Sequence, residues 1–98
     1  MNKIWIIEDD PSLARLISEN LTKWGYPCEA AVDFDQLDKE FLKVQPQLII
    51  MDVSLPGKSG HAWCAEIRKL SKVPILFLSS HSENLDIIMA LNQGGDDY

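Results

Sequence analysis

Cysteine is nearly absent, with only Cys28 and Cys64 in 98 residues. The pair lacks metal-type spacing and falls inside a predicted strand and a predicted helix, so buried free thiols are expected in place of a disulfide or metal ligands. Basic residues are also few, 9 Lys and Arg against 15 Asp and Glu, which leaves a net charge of −6. That balance excludes the segment itself as a grip for nucleic acid, which needs a basic face, and fits a protein partner better. No apolar run approaches the roughly 20 residues of a membrane span. The amino terminus lacks the basic region and long apolar segment of a signal peptide, so a cytoplasmic location without membrane contact is expected. No linker, low-complexity stretch or charge block interrupts the chain, which reads as one domain over residues 1–98.

What the chain does contain is one unit repeated: a short apolar run, a polar turn, then a helix. The unit that organises the rest is QLIIMDVSLPGKSG, residues 47–60. Leu48, Ile49, Ile50 and Met51 are apolar without alternation, the pattern of a parallel strand covered on both faces. Asp52 then sits at the strand's carboxyl end, where open α/β sheets bind ligands, and Pro56-Gly57 marks a loop before the next helix.

The same pattern opens the chain. Ile4, Trp5, Ile6 and Ile7 end in Glu8-Asp9-Asp10. Asp10 is placed as an N-cap with Pro11 at the first helical position. Leu13, Leu16, Ile17, Leu21 and Trp24 follow at helical spacing until Gly25 stops the helix. Cys28 to Val32 is read as a second strand, mainly from its position between two helices. Asp33 or Asp35 is expected to cap the next helix, with Leu37, Phe41 and Val44 facing inward and Pro46 closing it. Trp63, Ile67 and Leu70 mark a third helix. Pro74 begins a fourth strand, Ile75 to Leu78, ending in Ser79, Ser80 and His81; a fourth helix runs from about Ser82 to Asn92 by the spacing of Leu85, Ile88, Met89 and Leu91. Asp96-Asp97-Tyr98 stands where a fifth strand begins.

This alternation implies right-handed crossovers and a parallel sheet with helices on both faces. Glu8 and Asp9, Asp52, and Ser79 are then delivered to one crevice. Carboxylates gathered there repel, and a hard divalent cation resolves the conflict; Mg²⁺ takes oxygen ligands, keeps waters and shares itself with phosphate oxygens. Asp52 is the candidate nucleophile, because carboxylates accept phosphoryl groups as aspartyl phosphates.

Taken together, IIEDD, LIIMDVSLPGKSG, PILFLSS and GGDDY resemble, in order and over the whole chain, the receiver domains of two-component response regulators. The resemblance implies a flavodoxin-like three-layer α/β/α fold with strand order 2-1-3-4-5, an order characteristic of that fold class. It implies Asp52 as phosphoacceptor, and Glu8, Asp9, Asp52 and the backbone carbonyl of Ser54 as ligands of Mg²⁺ (or Mn²⁺). Ser79 and Tyr98 match the hydroxyl and aromatic switch positions. The implied partner is a sensor histidine kinase, and DNA would be reached only through an output domain outside this sequence. The domain is then a switch and not an enzyme, with self-phosphorylation and self-dephosphorylation as its only chemistry.

Two departures stand out. Receivers carry a Lys just past the Tyr98 position and complete a fifth strand and helix, so the expectation is a carboxyl-terminally incomplete domain: less stable, poorly phosphorylated, or a homodimer by exchange of elements. Lys58-Ser59 replaces the apolar residue and Asp found in many members.

Blander readings compete at single positions. Asp10 is a helix cap before it is a ligand. The Ser79 hydroxyl can simply satisfy backbone at a strand end. His81, two past Ser79, is a candidate modulator of phosphoryl lifetime, against the commoner case of an inert surface histidine. Trp24 and Trp63 are read as packing residues. Two other function classes remain. A phosphatase or phosphotransferase with a DxD signature would need an acid where this chain has Ser54. A phosphorylation-independent docking or dimerisation module would ignore the Glu8, Asp9, Asp52 and Ser79 set.

The switch assignment makes a testable statement about Tyr98 and His81. Tyr98→Ala should lose the conformational response to phosphorylation while still taking up phosphoryl, read by comparing proteolysis before and after modification; a normal response removes Tyr98 from the switch. His81→Ala should change the dephosphorylation rate, and an unchanged rate removes His81 as a modulator.

Overall fold

The computed structural model describes residues 3–78. Its elements are β1 (Ile4–Ile7), α1 (Pro11–Lys23), β2 (Cys28–Ala30), α2 (Leu37–Val44), β3 (Leu48–Asp52), α3 (Gly60–Arg68) and β4 (Ile75–Leu78). The expected fourth helix, the start of a fifth strand, Ser79, His81 and Tyr98 lie outside the described residues. All strand pairs are parallel, in the order β2-β1-β3-β4. This is the expected doubly wound order as far as the described strands reach.

The unbroken apolar runs of β1 and β3 sort into two cores because successive side chains leave opposite faces of a strand. Trp5, Ile7, Ile49, Met51, Ile75 and Phe77 join Leu37, Phe41 and Val44 of α2 and Trp63, Cys64 and Ile67 of α3. Ile4, Ile6 and Ile50 pack with Ala14, Ile17 and Leu21 of α1 on the other side. Helices therefore cover both faces, which is why these strands show no alternation.

Helix α1 starts as expected: the Asp10 carboxylate accepts the Ser12 amide at 3.0 Å and the Leu13 amide at 3.4 Å, and Pro11 follows. Its inner stripe is narrower than the apolar residues suggested. Ala14, Ile17 and Leu21 lie three and four apart and face the sheet, whereas Leu16 is one residue off that stripe and exposed. Trp24, the C-cap residue, is 80% exposed, so it is neither core nor a covered helix face.

Three other expectations are corrected. Strand β2 stops at Ala30 and not Val32, because the Glu40 carboxylate accepts the amides of Val32 (3.1 Å) and Asp33 (2.9 Å). Those amides are thereby taken away from any strand ladder. Neither Asp33 nor Asp35 caps α2: Gln36 holds the cap position without a side-chain bond, and the Asp33 carboxylate instead accepts the Asp35 amide within a local turn. Leu70 lies past the end of α3, in a turn where its amide donates to the Ile67 carbonyl at 2.8 Å, and it is exposed. Leu37, Phe41 and Val44 are buried as expected, and Trp63 is a core residue with the Lys58 ammonium 4.2 Å above its ring. Cys28 and Cys64 do not form a disulfide; Cys64 is buried as expected and Cys28 only half-buried. Among the described residues no helix is long and apolar enough to cross a membrane.

Two aromatic deletions separate core from surface. Phe41→Ala should cost about 3–5 kcal/mol through lost burial and a residual cavity, and Trp24→Ala under about 0.5 kcal/mol. Urea denaturation of both variants checks this, and equal losses would contradict the assigned core.

Candidate functional site

The register of the two central strands builds the site. Ile4 pairs with Leu48 and the ladder runs to Ile7 and Met51. One step further along the same register, each strand delivers a carboxylate, Glu8 from β1 and Asp52 from β3. Both are buried, at 6% and 3% exposure, and are the buried acidic residues of the described core. Asp9 follows on the open side, exposed. Glu8, Asp9 and Asp52 can each offer a carboxylate oxygen such that the three atoms lie within 4.8 Å of one another.

Each buried acid is held by backbone. Glu8 accepts the Asp10 amide at 2.9 Å, and Asp10 in turn caps α1, so one turn both starts the helix and orients the acid. Asp52 Oδ1 accepts the Ser54 amide at 3.1 Å. The sequence pairs Glu8 and Asp9 as equals; the structure distinguishes them, one buried against Asp52 and one facing solvent.

Burial is the largest influence on Glu8 and pushes its carboxyl up to about 7; the Asp10 amide works against this, and the negative charge of Asp52 adds to the rise. A group with that affinity for protons is short of positive charge at neutral pH. The donor set answers what should supply it. Three carboxylate oxygens with no nitrogen or sulfur suit a hard divalent cation of the Mg²⁺ or Mn²⁺ kind, and three protein ligands leave coordination positions open.

The loop from β3 to α3 leaves directly from Asp52. Gly57 takes φ +75 in open space, the left-handed turn conformation that favours glycine. The Ser59 hydroxyl caps α3 by accepting the Ala62 amide at 3.2 Å, so this departure from the usual Asp retains a capping side chain. Gly60 donates its amide to the Val53 carbonyl at 2.9 Å and lies directly against the backbone of Asp52. In the sequence Gly60 closes the QLIIMDVSLPGKSG stretch but is given no role of its own; its contact with Asp52 is tertiary.

A parallel α/β sheet with acids at the carboxyl ends of its two central strands defines a class of ligand-binding doubly wound domain. A family model described as the response regulator receiver domain matches residues 4–98. The chain is similar to the transcriptional regulatory protein YxdJ of Bacillus subtilis (strain 168), 41% identical over 98 residues, all of this chain and 43% of that protein. Among solved structures it resembles the amino-terminal domain of the nisin resistance regulator NsrR, with a TM-score of 0.83 at 40% identity, covering 99% of this chain and 82% of that one. It also resembles a chain in the complex of histidine kinase ThkA with response regulator protein TrrA, with a TM-score of 0.76 at 30% identity, covering 86% and 73%. The chain belongs to the receiver domain family of two-component response regulators. It spans about two fifths of the length of the curated relatives it matches.

The Glu8 shift sets a pH dependence with a definite sign. Its carboxyl rises from 4.5 when free to about 7 in the fold, so the folded state binds more protons between these values. In EDTA, the contribution of Glu8 to stability is largest below pH 4.5 and is lost as pH rises through 7, by up to about 3 kcal/mol. Urea midpoints at pH 5 and pH 8 should show this fall, and Glu8→Gln or saturating Mg²⁺ should reduce it. A parent profile identical to that of Glu8→Gln in EDTA would contradict the burial of a strained acid at this position.

Proposed function

We infer that this domain, residues 1–98, is the phosphorylation-controlled switch of a response regulator, and that Asp52 is its phosphoacceptor. The observation that carries the reading is the burial of Asp52 beside Glu8 with Asp9 in reach. In the proposed step an Asp52 carboxylate oxygen attacks the phosphorus of a phosphohistidine on a sensor kinase. The P–O bond forms, the P–N bond breaks, and the departing imidazole nitrogen takes a proton. Bound Mg²⁺ (or Mn²⁺), held by Glu8, Asp9, Asp52 and the Ser54 carbonyl, would supply positive charge to the oxygens of the transferring group. The residues do the positioning. The Ser54 amide fixes Oδ1 of Asp52, and the Asp10 amide fixes Glu8. The low exposure of both acids limits water at the reacting atoms, in keeping with a state that lasts long enough to signal and with self-hydrolysis as the only turnover.

The switch and output roles are carried from the family, and that of His81 rests on its place two residues past Ser79. Ser79 and Tyr98 act as the switch pair, with His81 as modulator of phosphoryl lifetime, and the response passes to an output domain outside this sequence. The likeness to YxdJ, a transcriptional regulatory protein, supports transcription as that output, and the likeness to a chain of the ThkA–TrrA complex supports a histidine kinase as the partner. A cytoplasmic site of action and a homodimer complete the proposal; light scattering before and after phosphorylation tests the dimer.

The deciding experiment is intact mass after incubation with Mg²⁺ and acetyl phosphate. The parent should gain one phosphoryl adduct that is absent from Asp52→Asn and from an EDTA control. An adduct that survives Asp52→Asn unchanged would refute the assignment, and none on the parent would favour a phosphorylation-independent docking module.

A further inference from the structure

The backbone of the phosphoacceptor is not fixed by its strand alone. Strand β3 ends at Asp52, and beyond it the chain must turn into the loop that carries Ser54. What meets that turn is the first residue of α3. Gly60 donates its amide to the Val53 carbonyl at 2.9 Å. A methyl group on its Cα would overlap the Asp52 carbonyl oxygen, and would lie 3.0 Å from the Asp52 carbonyl carbon and 3.1 Å from the Val53 Cα. All three are backbone atoms, so no side chain can swing aside to make room. Helix α3 cannot easily retreat either, because Trp63, Cys64 and Ile67 anchor it in the core and Ser59 caps it. Gly57 differs: its positive φ calls for glycine, but a methyl there would touch nothing within 4 Å.

The geometry points to Gly60 as a positioning residue for Asp52: its bare Cα packs on the Asp52–Val53 peptide and its N–H bonds the carbonyl of the Val53–Ser54 peptide, and this clamp holds the carboxylate and the Ser54 amide in reactive register. The inference deepens the phosphoacceptor reading and rests on it. Relief of the overlap requires the Asp52–Val53 backbone or the start of α3 to move by about 1 Å. A displacement of that size at reacting atoms costs on the order of 100-fold in rate.

The test compares the parent with Gly60→Ala and two controls, Gly57→Ala, which strains the loop without filling the contact, and Ala65→Gly, which loosens the exposed face of α3. Circular dichroism sets a temperature at which each is folded. Initial phosphoryl uptake from acetyl phosphate with Mg²⁺ is then read per folded molecule, and the Mg²⁺ dissociation constant by titration calorimetry. Gly60→Ala should take up phosphoryl on the order of 100-fold more slowly and bind Mg²⁺ more weakly, with both controls within about threefold of the parent. Rates and Mg²⁺ affinities for Gly60→Ala that match the controls would overturn the inference. If the parent forms no adduct, the phosphoacceptor reading fails by itself, and the Mg²⁺ affinities still decide whether Gly60 sets the carboxylate. If Gly60→Ala does not fold, amide exchange in the parent decides. The Ser54 and Gly60 amides should open together with protection within about threefold, and a gap above about tenfold would overturn the clamp.

Discussion

Two carboxylates buried side by side are the constraint on which this structure depends. Glu8 and Asp52 sit at 6% and 3% exposure, where water screens them little and burial together with the negative charge of Asp52 raises the cost of charging Glu8. Nothing local favours that arrangement. It persists because β1 and β3 pair in parallel register over four residues and their flanking side chains form the core. The fold thus holds in place a site that favours a bound cation or proton. This is the general relation between a stable scaffold and a strained site that does chemistry.

The scaffold also separates tasks by distance along the strands. The two cores lie below the carboxyl ends of the sheet, with Trp5 and Ile7 facing α2 and α3 and Ile4 and Ile6 facing α1. The turns above them are held by backbone amides, Asp10 on Glu8, Ser54 on Asp52 and Gly60 on the Val53 carbonyl, with Leu55 and Val53 packing the loop after β3 against the core. Such bonds fix direction well while leaving the acids open on one side to a cation. Ser59 serves a similar end, since its hydroxyl caps α3 without adding a further charge beside the pocket.

Much of this was legible in the residues. Unbroken apolar runs marked β1, β3 and β4 within one residue, because a strand covered on both faces has no polar position to spare. Asp10-Pro11 marked the start of α1, because capping is a local interaction between neighbours in sequence. The failures share a different cause. The Val32 and Asp33 amides are claimed by Glu40, eight and seven residues on, so β2 ends early, and the Asp33 carboxylate is taken by the Asp35 amide, so it does not cap α2. Leu16 and Leu70 are apolar at near-helical spacing, yet one lies off the inner stripe and the other past the helix end.

The sequence by itself therefore determined the kinds of element, their order, the acids that end the central strands, and the family to which the chain belongs. These depend on periodicity, on neighbours within about a turn, and on motifs whose spacing survives in the chain. Only the tertiary structure decided that Glu8 is buried while Asp9 is exposed, and that burial and Asp52 push Glu8 up to about 7. It alone placed Gly60 against the Asp52 backbone. Desolvation and close backbone approach arise between residues far apart along the chain, and no pattern within either segment records them.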